Sequence, residues 1–65
     1  MYENKNKYSL IKLYTTDNNP VYINKEYITR IHKNTLGIIV IQLLNETSIF
    51  TNEQNIDILA DKLSM

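Results

Sequence analysis

The fold of this chain is decided by residues 36–44, Leu-Gly-Ile-Ile-Val-Ile-Gln-Leu-Leu. The run is apolar, rich in β-branched residues and preceded by turn-forming residues, which is typical of a strand. Successive side chains of a strand point to opposite faces, so two sets follow. The inward set is Ile39, Ile41 and Leu43, and the outward set is Ile38, Val40 and Leu44. A strand that is apolar on both faces is predicted to be central in its sheet and to need cover on both sides.

Shorter strand-forming stretches lie on either side of this run. Ile11 and Leu13 alternate with Lys12, and residues 17–20, Asp-Asn-Asn-Pro, favour a turn. Gly37 sits where a positive φ closes a hairpin, and Asn45-Glu46 is predicted to form a two-residue hairpin turn. The predicted strands are residues 9–15, 21–23, 28–33, 38–44 and 47–50, with a loop or a single helical turn at 24–27.

A helix is predicted at the end of the chain. Residues 51–54, Thr-Asn-Glu-Gln, match a capping box, so the helix is expected to begin there and to run from 54 to 63. Its apolar positions fall at i, i+3, i+4 and i+7, which places one stripe on the sheet while Asp57 and Asp61 point away. The members of this stripe are Ile56, Leu59, Ala60 and Leu63.

These elements predict an α+β fold: a small antiparallel β-sheet of four to five strands, a meander or a partly closed barrel, followed by one C-terminal amphipathic helix. Residues 1–8 are expected to be a polar N-terminal tail, and residues 9–65 a single domain. A domain of 65 residues buries only about 60% of its unfolded surface. The chain has no cysteine, which excludes disulfides and thiolate metal sites. Oligomerisation is the remaining source of added stability.

The sheet is expected to have one face under the helix and one face without cover. The helix-covered face is predicted to carry Ile11, Leu13, Ile23, Ile31, Ile39, Ile41 and Ile49. The opposite face is a candidate interface, which consists of Leu10, Tyr14, Tyr22, Ile38, Val40, Leu44 and Phe50. Tyr27 and Arg30 form a candidate polar rim, with Tyr14 and Tyr22 expected nearby. So apolar a face has to be covered by closure into a barrel, by a second copy, or by a heterologous protein.

The chain has few residues of the types that form catalytic, phosphate-binding or metal sites in other proteins. His32 is the only histidine and is interpreted as a solvent-facing strand residue without a role. Glu53, Asp57 and Asp61 follow at four-residue steps and are interpreted as a solvated helix face, with paired carboxylates as the alternative. A single glycine makes a phosphate-binding loop improbable. We therefore predict no enzymatic activity, no catalytic, cofactor-binding or metal-binding residues, and no cofactor.

Charge and hydropathy narrow the class of partner. Seven basic residues balance seven acidic ones, so nucleic acid is an unlikely partner. The longest apolar run is far shorter than the roughly 20 residues of a membrane span, and residues 1–7 lack the apolar core of a secretory signal. A cytoplasmic location is expected. The abundance of asparagine, isoleucine and lysine is typical of AT-rich bacterial or phage genes.

The order of strand and turn residues along the chain is similar to that of a known family of small proteins. It runs through Ile11-x-Leu13, Val21-Tyr22-Ile23-Asn24, Ile28-x-x-Ile31, Val40-Ile41-x-Leu43-x-Asn45, Ile49, Glu53 and the final amphipathic helix. This order resembles the small FlbD/SwrD-type proteins associated with bacterial flagella and swarming, and it covers residues 11–63. The resemblance implies a non-enzymatic accessory protein that acts through protein contacts. The strands and helix also resemble the end of LytTR-type DNA-binding domains, whose basic surface this chain lacks.

Two classes of function follow. The first is a protein interaction module, homo-oligomeric, that serves as a regulatory or accessory factor in a bacterial or phage assembly. A phage-encoded inhibitor of a host defence complex is its sharpest special case, and there a heterologous protein is the partner. The second class is a binder of a ligand or of single-stranded nucleic acid. Its surface consists of the tyrosines with Lys12, Lys25, Arg30 and Lys33.

Overall fold

The structure, a computed structural model, describes residues 10–63. Its elements are β1 (Leu10–Tyr14), β2 (Pro20–Asn24), a 3-10 turn (Lys25–Tyr27), β3 (Ile28–Lys33), β4 (Ile39–Leu43), β5 (Ser48–Phe50) and the helix α1 (Ile56–Leu63). The predicted tail at residues 1–8 lies outside the described residues, as do three positions of the predicted domain, 9, 64 and 65. The described part confirms the α+β class and the order of five strands followed by a helix.

The strands form two antiparallel sheets. β1 and β2 make a hairpin, and β3, β4 and β5 make a meander in which β4 is central, as predicted. The sheets meet at a single bridge between Thr15 and Thr51. Two backbone hydrogen bonds flank it, from Thr16 N–H to the Phe50 carbonyl at 3.1 Å and from Asn52 N–H to the Tyr14 carbonyl at 3.0 Å. The sheets do not close into a barrel, so closure, one of the three predicted ways to cover the second face, does not occur.

All three hairpins use the same three-residue loop. The loops are residues 16–18, 35–37 and 44–46, and each ends on a residue in the left-handed region: Asn18 (φ 67°), Gly37 (φ 84°) and Glu46 (φ 68°). The N–H of that residue donates to the carbonyl that precedes the loop, at 2.8, 3.0 and 2.9 Å respectively. Three-residue hairpin loops with a left-handed last residue commonly consist of a type I turn followed by that residue. The two-residue turn predicted at Asn45-Glu46 is therefore wrong, because the loop also includes Leu44.

The helix begins two residues later than predicted. Asn55 is its cap, since Asn55 Oδ1 accepts the N–H groups of Asp57 at 2.9 Å and Ile58 at 3.1 Å. The capping box at Thr51 does not form. Thr51 Oγ1 donates to the Ile39 carbonyl at 2.8 Å and accepts the N–H of Glu53 at 3.2 Å, so the hydroxyl ties β5 to β4 instead of starting a helix.

One core lies between the sheets and α1. Its fully buried members are Leu13, Ile23, Ile39, Ile41, Leu59 and Leu63, and the partly buried residues packed on them are Ile11, Val21, Ile28, Ile31, Leu43, Ile49 and Ile56. All seven residues predicted for the helix-covered face belong to one of these two sets, which confirms the inward alternation. Burial of Leu59 and Leu63 also confirms the helical stripe, while Asp57 and Asp61 are exposed.

Candidate interaction surface

The side of the two sheets that faces away from the core is called the outer face here. Directly opposed residues of antiparallel strands point to the same side. Lys12 lies opposite Tyr22 in the first hairpin, and Val40 lies opposite Phe50 in the second sheet. The outer face consists of Leu10, Lys12, Tyr14, Pro20, Tyr22, Arg30, His32, Ile38, Val40, Gln42, Ser48 and Phe50. At the joint, Tyr14 and Phe50 adjoin Thr15 and Thr51, which places both on this side.

Most of the predicted interface is exposed. The exposed members are Leu10, Tyr14, Tyr22, Leu44 and Phe50. Tyr22 is the most prominent of those on the strands, with 64% of its surface exposed. Ile38 is half-buried, and Leu44 is the first residue of the β4–β5 loop, at the end of the strand. The two rim residues, Tyr27 and Arg30, are also exposed.

Val40 differs from the rest of the predicted interface because it is only 3% exposed. It points away from the helix, yet its cross-strand neighbours His32 and Phe50 flank it on the same face. The chain therefore covers Val40 by itself. His32 is half-buried, and its Nδ1 atom is buried without a hydrogen-bond partner, so the expectation of a solvent-facing histidine is wrong.

Lys12 lies between two tyrosines at the centre of the first hairpin. Its Nζ is 5.5 Å from the ring centroid of Tyr14 and 6.0 Å from that of Tyr22, within the range of cation–π contact. Hydrogen bonding with Tyr14, then charge interaction with Tyr14 and Tyr22, raises the pKa of Lys12 above its ordinary value. The sequence prediction had grouped Lys12 only with a general basic surface. Strand alternation and the hairpin register are the signals that place it between the rings.

Acidic residues are absent from the strands and present in the rest of the described chain. The five strands contain Lys12, Arg30 and Lys33 and no aspartate or glutamate. The carboxylates from residue 10 to 63 lie instead in the loops, the 3-10 turn and the C-terminal segment: Asp17, Glu26, Glu46, Glu53, Asp57 and Asp61. The outer face is thus apolar and cationic.

The expected row of three acids on the helix does not exist. Glu53 precedes α1, is half-buried, and binds Lys62 Nζ through Oε2 at 3.1 Å. Within residues 10–63, no three side chains of His, Cys, Asp or Glu come together in a way that would hold a metal ion. In the same part of the chain, no helix has the length and apolarity needed to cross a membrane.

Two open grooves flank the joint between the sheets. One has a volume of about 400 Å³ and lies beside Phe50; it is lined by Thr15, Thr16, Asp17, Asn19, Ser48, Ile49 and Phe50. The other, of about 320 Å³, is lined by Thr16, Gly37, Ile38, Thr51, Asn52, Glu53 and Gln54. Both are shaped mainly by uncharged polar side chains, and the first extends the outer face past Phe50.

Comparison with known proteins identifies no relative of this chain. No protein-family model matches the chain, and no match was found among curated proteins or among solved structures. The resemblance to FlbD/SwrD-type proteins therefore stays a prediction from the sequence, and the outer face is interpreted from its own geometry and chemistry.

Proposed function

We propose that the chain is a non-enzymatic protein interaction module that binds through the outer face of its sheets, first of all to other copies of itself. In this role it serves as a regulatory or accessory factor in a larger bacterial or phage assembly. The observation that carries the proposal is the set of large apolar side chains exposed on the outer face of so small a domain, Leu10, Tyr14, Tyr22 and Phe50. Apolar patches of this kind mark interaction sites in folded proteins.

The composition of the face supports a protein partner. Tyrosine is enriched in protein interfaces because it combines a large apolar body with a polar tip, while aspartate and glutamate are depleted there. Tyr14, Tyr22 and Phe50 supply aromatic surface on strands that contain no carboxylate. The rigid strands also hold these rings with little loss of side-chain freedom on binding.

Light scattering over a dilution series tests the proposal. We expect the mass of the chain to exceed that of one 7.7 kDa copy at high concentration and to fall on dilution. Tyr22→Glu places a carboxylate on the face and is expected to give a folded monomer at every concentration. Leu36→Glu is the matched control, because Leu36 is 81% exposed but lies in the β3–β4 loop. A wild-type mass of one copy throughout would contradict self-assembly.

A second candidate function rests on the placement of Lys12 between Tyr14 and Tyr22. A cation flanked by aromatic rings is the arrangement with which proteins stack and neutralise single-stranded nucleic acid. Fluorescence anisotropy with a labelled single-stranded oligonucleotide tests it. Binding that weakens steeply with salt and is lost in Tyr22→Ala supports this function. The absence of binding at low salt excludes it.

A further inference from the structure

The helix presents a second exposed surface, on the side of α1 that faces away from the core. Ile58 is 54% exposed, and Asp57 and Asp61 flank it on the side of α1 that faces away from the core. Asp61 is four residues from Asp57 and three from Ile58, so it adjoins both of them on the exposed side of the helix. The helical cation Lys62 is engaged by Glu53, and no ion pair of the described residues involves Asp57 or Asp61.

This surface is complementary to the outer face. The outer face is aromatic and carries Lys12 and Arg30 without any strand carboxylate, while the helix surface carries two carboxylates around one aliphatic side chain. Opposite charges brought together at an interface fix its register and exclude like-charged arrangements. A face-to-face pair of outer faces would instead bring Lys12 and Arg30 of both copies into one interface. No carboxylate on the strands would compensate them.

We propose that the occupant of the outer face is a second copy of this chain, which docks with the exposed side of α1, so that copies associate head to tail. This rests on the proposed function and deepens it. Ile58 of one copy packs against Tyr14 and Tyr22 of the next, and Asp57 and Asp61 approach Lys12. Because the two surfaces consist of different residues on different elements, each docked copy presents a fresh outer face. Such a heterologous contact produces a ring if the rotation closes and an open chain if it does not.

Two variants that are each unable to assemble test this arrangement. Tyr22→Glu disables the outer face and keeps the helix surface, whereas Ile58→Lys disables the helix surface and keeps the outer face. Both sites are exposed, so both variants are expected to fold, and far-UV circular dichroism checks this. Each variant alone should have the mass of one copy at concentrations where the wild-type chain assembles. An equimolar mixture should form a 1:1 dimer, because one intact surface of each kind remains.

The outcomes separate this inference from the function on which it rests. If Ile58→Lys assembles like the wild-type chain and the mixture gives no new dimer, the head-to-tail contact is wrong while self-assembly through the outer face stands. If the wild-type chain is monomeric at all concentrations, both are wrong. Leu36→Lys is the control for Ile58→Lys, since it adds the same charge at an exposed apolar site outside both surfaces, and it should assemble normally. If Asp57 and Asp61 attract Lys12 of the next copy, a change from low to high salt concentration should raise the dissociation constant of the mixed dimer at least tenfold.

Discussion

At Glu46 the backbone adopts a conformation that its side chain disfavours. Its φ of 68° lies in the left-handed region, where Cβ crowds the following carbonyl oxygen. The equivalent positions of the other two loops carry Asn18 and Gly37, residues that tolerate this region better. Glu46 is thus the strained member of three otherwise equal loops.

Glu46→Gly should raise the free energy of unfolding by about 1 kcal/mol, because the relief of left-handed strain exceeds the added entropy of the unfolded chain. Urea denaturation at neutral pH measures the change. Glu46→Ala removes the same carboxylate but keeps Cβ, so it should give no such gain. An equal gain in both variants would assign the effect to charge and not to backbone conformation.

Val40 lies on the outer face but is buried, so we expect it to contribute to folding stability and not to binding. Val40→Glu should lower the free energy of unfolding by several kcal/mol, since a charge would replace an apolar side chain that is 3% exposed. Gln42→Glu is the matched control on the same face of β4, where Arg30 lies opposite, and it should be nearly neutral. Circular dichroism with urea denaturation distinguishes the two. A fully stable Val40→Glu would mean that His32 and Phe50 do not cover the site.

At the scale of elements, four asparagines mark the points where regular structure breaks. Asn24, Asn34, Asn45 and Asn55 each accept, through Oδ1, the N–H of the residue two positions ahead. Asparagine forms such turns because its short side chain competes with backbone partners. Asn24 precedes the 3-10 turn, Asn34 precedes the β3–β4 loop, Asn45 lies within the β4–β5 loop, and Asn55 precedes α1.

The alternation of residues was enough to predict the strands and their inward side, because a one-residue error would have turned a whole apolar set outward. It predicted β3 at its observed bounds. The turn length at Asn45-Glu46 and the start of α1 were missed for a common reason. Both depend on which N–H an asparagine or threonine oxygen accepts, and a capping motif does not reveal that the hydroxyl of Thr51 is already engaged by β4.

The hydroxyl of Thr51 fixes the end of β5 to β4, next to the joint between the sheets. Thr51→Val preserves shape but removes the hydroxyl that donates to the Ile39 carbonyl and accepts from Glu53 N–H. We expect the free energy of unfolding to fall by about 1–2 kcal/mol, the cost of lost buried hydrogen bonds. Thr47→Val, at an exposed position, should change it little. An unchanged stability in Thr51→Val would show that the backbone hydrogen bond from Thr51 N–H to the Ile39 carbonyl is enough to hold this segment on β4.

At the scale of the whole molecule, the candidate site was predictable in part. Alternation and the hairpin signals placed Leu10, Tyr14 and Tyr22 on the side away from the helix, where the structure has them. The burial of Val40 by its own chain could not be predicted from the sequence, because it depends on which residues of β3 and β5 lie opposite Val40. The proximity of Lys12 to two rings likewise depends on the register of the first hairpin.

Assembly should also be visible in the stability of the whole domain. A domain of this size has a free energy of unfolding of roughly 3–10 kcal/mol, so binding of a second native copy is a large increment. Above the dissociation constant, each tenfold rise in protein concentration should add about 1.4 kcal/mol and raise the melting temperature by several degrees. Tyr22→Glu should melt at one temperature over the whole range, and Leu36→Glu should follow the wild-type chain. Concentration-independent melting of the wild-type chain would contradict native-state assembly.

The single bridge between Thr15 and Thr51 has a consequence for the order of folding. Three-residue loops close on the microsecond timescale, whereas the joint brings together side chains such as Asn18 and Asn52, which are 34 positions apart along the chain. The hairpins should therefore form first and the two sheets dock afterwards, with the joint still open in the transition state. Asn52→Ala removes the side-chain hydrogen bond to Asn18 across the joint, so in stopped-flow experiments it should accelerate unfolding and leave the refolding rate unchanged. The last contact to form would also be the first to break, so thermal opening of this domain would begin where its first and fifth strands meet.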